Sequence, residues 1–187
     1  PYTTLFRSKK AGYINVDSVP ACQPDVVCDL EQTPWPWKDS SVGEVVFFHA
    51  LEHMGEQSAT FLAIMKELYR VCAPDAVVHI TVPHPRHDNF IGDPTHVRII
   101  TPKLMELFSL AKCDEWKRLG WSNTPFAHYL NVDFETTYAE VRLDEPYLSM
   151  LNSGQIQPDE MWKILNERNN VAAEFIITLR VIKHQQR

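Results

Sequence analysis

Apolar residues recur along this chain in two rhythms, and the switches between them divide it into elements. Val45-Val46-Phe47-Phe48 is a continuous apolar run, the pattern of a strand covered on both faces by helices. It ends abruptly in His49, Glu52 and His53. Phe61, Ile64, Met65, Leu68 and Cys72 then recur at helical steps, with Lys66, Glu67 and Arg70 between them. That spacing predicts an amphipathic helix capped by Ser58, with Lys66, Glu67 and Arg70 on its outer face and Ala73-Pro74-Asp75 ending it. Ala76 to Val82, AVVHITV, predicts a central strand that stops at Pro83. Strand, helix and strand with short links make a βαβ crossover.

The flanks follow the same logic. GYINVD at 12–17 and DVVCD at 25–29 each place apolar residues before a terminal carboxylate, and the loop TPWPWKDSS separates them from the next strand. Residues 84–101, HPRHDNFIGDPTHVRIIT, are polar and broken by Pro and Gly, which predicts a long loop over the strand ends, where function concentrates. Thr101 and Pro102 predict a helix start, with Leu104, Leu107, Phe108 and Ala111 on one face. A short strand or turn is expected at 115–121, a strand at Asn131 to Leu143, and a helix at Pro158 to Arg168. Val171 to Lys183, rich in β-branched residues, predicts a last strand pairing antiparallel with 131–143 at the sheet edge.

Composition narrows the class. At 187 residues the chain suits one domain spanning 1–187. No apolar run approaches the roughly 20 residues of a membrane span. A net charge of −6 argues against broad capture of a phosphate backbone, so neither nucleic acid nor membrane is an expected partner. Cys22, Cys28, Cys72 and Cys113 form no CxxC pair and read as reduced thiols of a cytoplasmic protein. The opening octamer, PYTTLFRS, lacks the layout of a signal peptide and resembles translated adapter read-through. Residues 1–8 are therefore expected to be non-native, although Tyr2 to Phe6 have strand propensity.

NVD at 15–17, CDLE at 28–31, WPWKDSSVGEVVFFHALEH at 35–53 and KELYRVCAPDAVVHITVP at 66–83, taken in this order, resemble the class I S-adenosylmethionine-dependent methyltransferases, of the type 11-like branch. The likeness covers about residues 9–101. It implies an α/β fold, a Rossmann-like open sheet that is mostly parallel with an antiparallel edge strand and helices on both faces. It also implies S-adenosylmethionine as cofactor and a small-molecule methyl acceptor bound by the active-site loop 84–101. One departure matters: the family's glycine-rich loop has no counterpart, because the chain contains no GxGxG. The segment just before Lys9 is where that loop is expected, which makes the chain N-terminally truncated.

In that resemblance Asp17 takes the ribose hydroxyls, Asp29 the adenine amine with the Leu30 backbone beside the ring, and His49 faces the methionine end and the acceptor. A carboxylate accepts from two vicinal hydroxyls at once, so the residue types suit the task. His84, His96 and Arg98 are the candidate acceptor contacts, and His96, with His49, is the candidate base. Glu52 and His53 read as a hydrogen-bonded pair fixing a turn. Trp116, Trp121, Phe126 and Tyr129 are available to line an acceptor pocket. Oxygen, nitrogen and carbon acceptors all stay open. Two rival readings remain: a metal-dependent hydrolase using His79, His84, His87, Asp88, Asp93 and His96, and a non-catalytic binding fragment. Against the first, no HxH or HExxH pair prearranges two ligands on one face, and no metal is expected.

Overall fold

Two short parallel strands, β1 (Val16–Asp17) and β2 (Val26–Val27), open the described part of the chain. The structure is a computed structural model that describes residues 12–184, so the octamer, with Tyr2 to Phe6, and Lys9 lie outside the described residues. Both strands are short, and the carboxylate at or just past the end of each folds back on its own backbone. Asp17 Oδ1 accepts from the Val19 N–H at 2.8 Å, and Asp29 Oδ1 accepts from the Glu31 N–H at 2.9 Å. Such turns compete with continuation of the ladder.

The main sheet joins β3 (Val42–Phe48), β4 (Cys72–Pro83), β5 (Phe134–Leu143) and β6 (Ala172–Val181) in the order β3-β4-β6-β5. β3 and β4 are parallel, while β6 runs antiparallel to both β4 and β5. Three strands thus share one direction and β6 alone is reversed; the antiparallel pairing expected of the last two strands forms this edge. α1 (Ser58–Val71) carries the chain from β3 to β4. Its inward residues Phe61, Ile64, Met65 and Leu68 pack in one core with Val78, Ile80 and Val82 of β4 and Ile177 and Leu179 of β6. Full burial of each such side chain contributes about 1.5–3 kcal/mol.

Two local expectations change. β3 is not covered on both faces: Phe47 is 4% exposed, whereas Val46 and Phe48 are 37% and 41% exposed. Among the described residues only β4 pairs with β3, and helical packing is concentrated on the Phe47 face. Glu67 does not sit on an outer face either; it is buried. Its carboxylate accepts from the Trp35 N–H at 2.6 Å and from Arg70 Nε and Nη2 at 3.0 and 2.6 Å. Arg70 also donates to Asp39 Oδ1 and the Trp35 carbonyl. This network fastens the 30–41 loop to α1.

The Arg70 hydrogen bond, and next the Trp35 N–H, hold the Glu67 carboxyl below the usual carboxylate range against the opposing effect of burial. Unfolded, the same group binds protons more readily, so its contribution is complete above about pH 4.3 and is lost as pH falls through the lower folded value. Glu67→Gln is expected to cost about 1–3 kcal/mol at neutral pH. Urea titrations of parent and variant should show that gap closing as pH falls through the lowered folded value, where the parent carboxyl is itself protonated; a constant gap would contradict this account.

Beyond β4 the 84–101 loop holds one short helix, α2 (Asp88–Ile91). α3 (Pro102–Glu106) begins as expected, with Thr101 Oγ1 accepting from the Leu104 N–H at 3.1 Å. It does not run on through Ala111. Ser109 starts a separate helix, α4 (Leu110–Leu119), so residues 115–119, expected as a strand or turn, are helical, and Gly120 closes them at φ 73°. α5 (Phe126–Leu130), α6 (Tyr147–Asn152) and α7 (Pro158–Glu167) complete the order. A second core of Ile156, Met161, Leu165, Val171 and Ala172 seats α6 and α7. Among the described residues no helix is long and apolar enough to cross a membrane.

Candidate active site at the strand ends

Three segments meet where the parallel strands end. After β3 the chain turns sharply at His49, at φ 47°, whose N–H donates to the Thr81 carbonyl at 2.8 Å. One 3-10 turn, Leu51–His53, follows, with Leu51 and Glu52 fully buried. The loop after β4 docks on it: the Val97 and Arg98 N–H groups both donate to the Glu52 carbonyl at 3.0 Å. The loop after β2 docks from the other side, where Glu31 Oε1 accepts from the Gly55 N–H at 2.5 Å.

Asp17 and Asp29 share this end of the fold. Their strands are neighbours, and the Cys28 N–H donates to the Asp17 carbonyl at 3.0 Å. Leu30 packs against the main core. His49 lies between two carboxylates, its Nε2 3.0 Å from Glu174 Oε2 and its Nδ1 3.5 Å from Glu52 Oε1. Glu52 chiefly, with Glu174, raises the His49 pKa above the ordinary imidazole value despite burial. The charged form is therefore favoured, which suits an anion-facing or positioning role better than a base. Glu174 did not stand out in the sequence; its only signal was a charge interrupting the apolar run VAAEFIITL.

The three acceptor candidates have different surroundings. His96 is nearly enclosed, its ring 4.5 Å from that of His53 and 5.2 Å from that of Phe90, and its Nδ1 is 3.0 Å from the Phe90 carbonyl. A carbonyl only accepts, so Nδ1 carries a proton and, in the neutral ring, Nε2 carries the lone pair. His84 is buried against Phe175, accepts from the Arg86 N–H at 3.3 Å, and has its pKa lowered first by burial and then by Arg86 and His87. Arg98 Nε donates to the Gly55 carbonyl at 3.0 Å, and its guanidinium covers the Phe61 ring at 4.5 Å. That side chain holds the Gly55 turn in place.

The histidines of the metal-hydrolase reading are not gathered. His79 pairs with Glu44 at 3.2 Å, and His87 pairs with Asp144 at 2.8 Å while capping α2. Glu52 and His53 do not form the expected turn-fixing pair: neither Glu52 carboxylate oxygen has a hydrogen-bond partner among the described residues. Instead Glu52, His53 and His96 converge, each with one potential ligand atom within 4.8 Å of the others. His53 has its pKa lowered, chiefly by burial, with Glu52 and Asp93 opposing and His96 adding to the effect. The aromatic residues divide as well. Trp116 and Trp121 line a hollow with His128 between α4 and α5 that none of the strand-end residues borders. Phe126 stacks on Phe108 in the core, and Tyr129 is exposed.

No protein-family model matches the sequence, and no curated protein matches it. Solved structures do. A SAM-dependent methyltransferase from Archaeoglobus fulgidus is similar at a TM-score of 0.51 and 17% identity, over 88% of this chain and 74% of that one. The YcgJ protein from Bacillus subtilis is similar at a TM-score of 0.47 and 14% identity, over 90% of this chain and 81% of that one. At 17% identity the Archaeoglobus likeness shows the fold: this chain has a Rossmann-like methyltransferase fold, a mostly parallel sheet flanked by helices.

Proposed function

We propose that this chain is an S-adenosylmethionine-dependent methyltransferase acting on a small-molecule acceptor. The observation that supports it most is that Asp17 ends β1 and Asp29 lies two residues beyond the end of its parallel neighbour β2, at the carboxyl end where open α/β sheets bind ligands. The fit is to the nucleoside half of the cofactor. Asp17 would accept from the ribose hydroxyls, Asp29 from the adenine amine, and the Leu30 backbone would lie along the ring. His49 would face the other half. The residues assigned here grip chiefly the adenosine.

When bound, S-adenosylmethionine supplies an electrophilic methyl group on a good leaving group. The protein's tasks are then to align the acceptor, exclude water and remove a proton where the acceptor is a hydroxyl or amine. His96 presents its Nε2 lone pair from a nearly enclosed ring, the state a proton acceptor needs. His84 lies in the same loop as a second contact, and Arg98 holds the Gly55 turn. His49, held between Glu52 and Glu174 so that its charged form is favoured, orients rather than deprotonates.

Calorimetric titration with S-adenosylmethionine and, separately, with 5′-methylthioadenosine tests the reading. Both are expected to bind saturably, with affinities within about tenfold of each other, or about 1.4 kcal/mol. If neither shows saturable binding, the assignment fails.

A further inference from the structure

His96 lies more than forty positions beyond the adjacent pair Glu52 and His53, yet each of the three brings a potential ligand atom within 4.8 Å of the others. The hydrogen bonds around them set the proton positions. Thr95 Oγ1 donates to Asp93 Oδ1 at 2.6 Å, so it can only accept from His53 Nδ1, 2.9 Å away. His96 Nδ1 donates to the Phe90 carbonyl. Both rings therefore carry their lone pair on Nε2, with Nδ1 anchored by a neighbouring oxygen, the outer support typical of metal-ligating histidines. Beside them lies a fully buried carboxylate with no hydrogen-bond partner among the described residues, the His49 ring nitrogen standing 3.5 Å away. Burying a carboxylate on these terms is costly unless a cation compensates it.

We propose that Glu52, His53 and His96 form a binding site for one divalent transition-metal ion of the zinc class. Two imidazoles and one carboxylate are a donor set of borderline softness that suits such an ion. Bonds of about 2.0–2.2 Å place ligand atoms roughly 3.0–3.5 Å apart, so side-chain rotations on the order of 1 Å close the set. Asp93 Oδ2, 3.8 Å from His96 Nε2, stands beside it as a further oxygen donor. Three protein ligands leave coordination positions for water or an acceptor oxygen. With the ion bound, the His96 lone pair no longer takes a proton and the ion would polarise the acceptor in its place, a consequence that rests on the methyltransferase reading; the site itself does not.

The test uses tag-free protein stripped with chelator and titrated with Zn²⁺ and with Co²⁺ alone. One equivalent is expected to bind, and Glu52→Gln and His96→Gln should each weaken it at least tenfold, while His128→Ala, at an exposed pair with Asp114 elsewhere, binds as the parent does. Proton NMR of the Co²⁺ form should show two exchangeable, hyperfine-shifted imidazole N–H signals, a readout that needs no variant. Absence of saturable binding, equal binding by all variants, or a Co²⁺ form without those signals would each overturn the proposal. Because methyl-donor binding is measured separately, its failure would leave this result readable.

Discussion

Gly55→Ala is expected to destabilise the protein by about 3 kcal/mol or more, the range of the severe single substitutions. Gly55 has φ 71°, and a Cβ there would lie 2.6 Å from Phe61 Cβ, 2.7 Å from Phe61 Cα and 2.9 Å from the Phe61 nitrogen. The left-handed backbone alone costs a residue with a side chain roughly 1–2 kcal/mol. The contact adds more, because the obstructing atoms belong to the first turns of α1, whose Phe61 ring is buried in the core. They yield only if the helix start moves. The same residue donates its N–H to Glu31 and accepts from Arg98 through its carbonyl, so its displacement loosens both loops that dock on the β3 end. Gly154, at φ 75° with nothing within 4 Å of an added Cβ, isolates the conformational part. Urea denaturation should show Gly154→Ala costing about 1–2 kcal/mol and Gly55→Ala clearly more. Equal costs at the two positions would refute the packing argument.

Asp17→Asn is expected to weaken S-adenosylmethionine binding about tenfold to a hundredfold. A carboxylate accepting from two ribose hydroxyls makes charged hydrogen bonds, and losing the charge and one acceptor forfeits about 1.5–3 kcal/mol. Asparagine keeps an oxygen for the Val19 N–H that Asp17 Oδ1 now accepts, so the turn and the thermal stability should be retained. The loss should be the same for 5′-methylthioadenosine, because both ligands present the same ribose. An effect confined to the larger ligand would place Asp17 elsewhere. Binding within threefold of the parent at unchanged stability would remove Asp17 from the site.

Much of the architecture was legible in local pattern. The β3-α1-β4 unit and the Thr101 cap follow from periodicity and from contacts a few residues apart, and the antiparallel pairing of β5 with β6 from two strand-like runs at the end of the chain. Two of the departures involve partners distant in sequence. α3 stops because the Ala127 N–H claims the Leu107 carbonyl and the Phe134 N–H claims the Phe108 carbonyl. Glu67 reads as an outward charge on the helix, yet Trp35 lies over it, thirty-two positions earlier. Residues 115–119 have too weak a periodicity to separate helix from turn, and the Ser109 cap settles them.

The candidate site divides along the same line. The amino-acid sequence by itself determined which chemistry was available at the strand ends: two strand-ending aspartates, the histidines after β3, and a polar loop after β4. It did so because strands, turns and caps are specified by neighbours along the chain. Only the tertiary structure decided which of those groups meet. It set His49 between Glu52 and Glu174, turned Arg98 onto the Gly55 carbonyl, and brought His96 to Glu52 and His53. Those encounters depend on strand register and loop docking, which arise from the packing of the whole core and leave no spacing rule in the sequence.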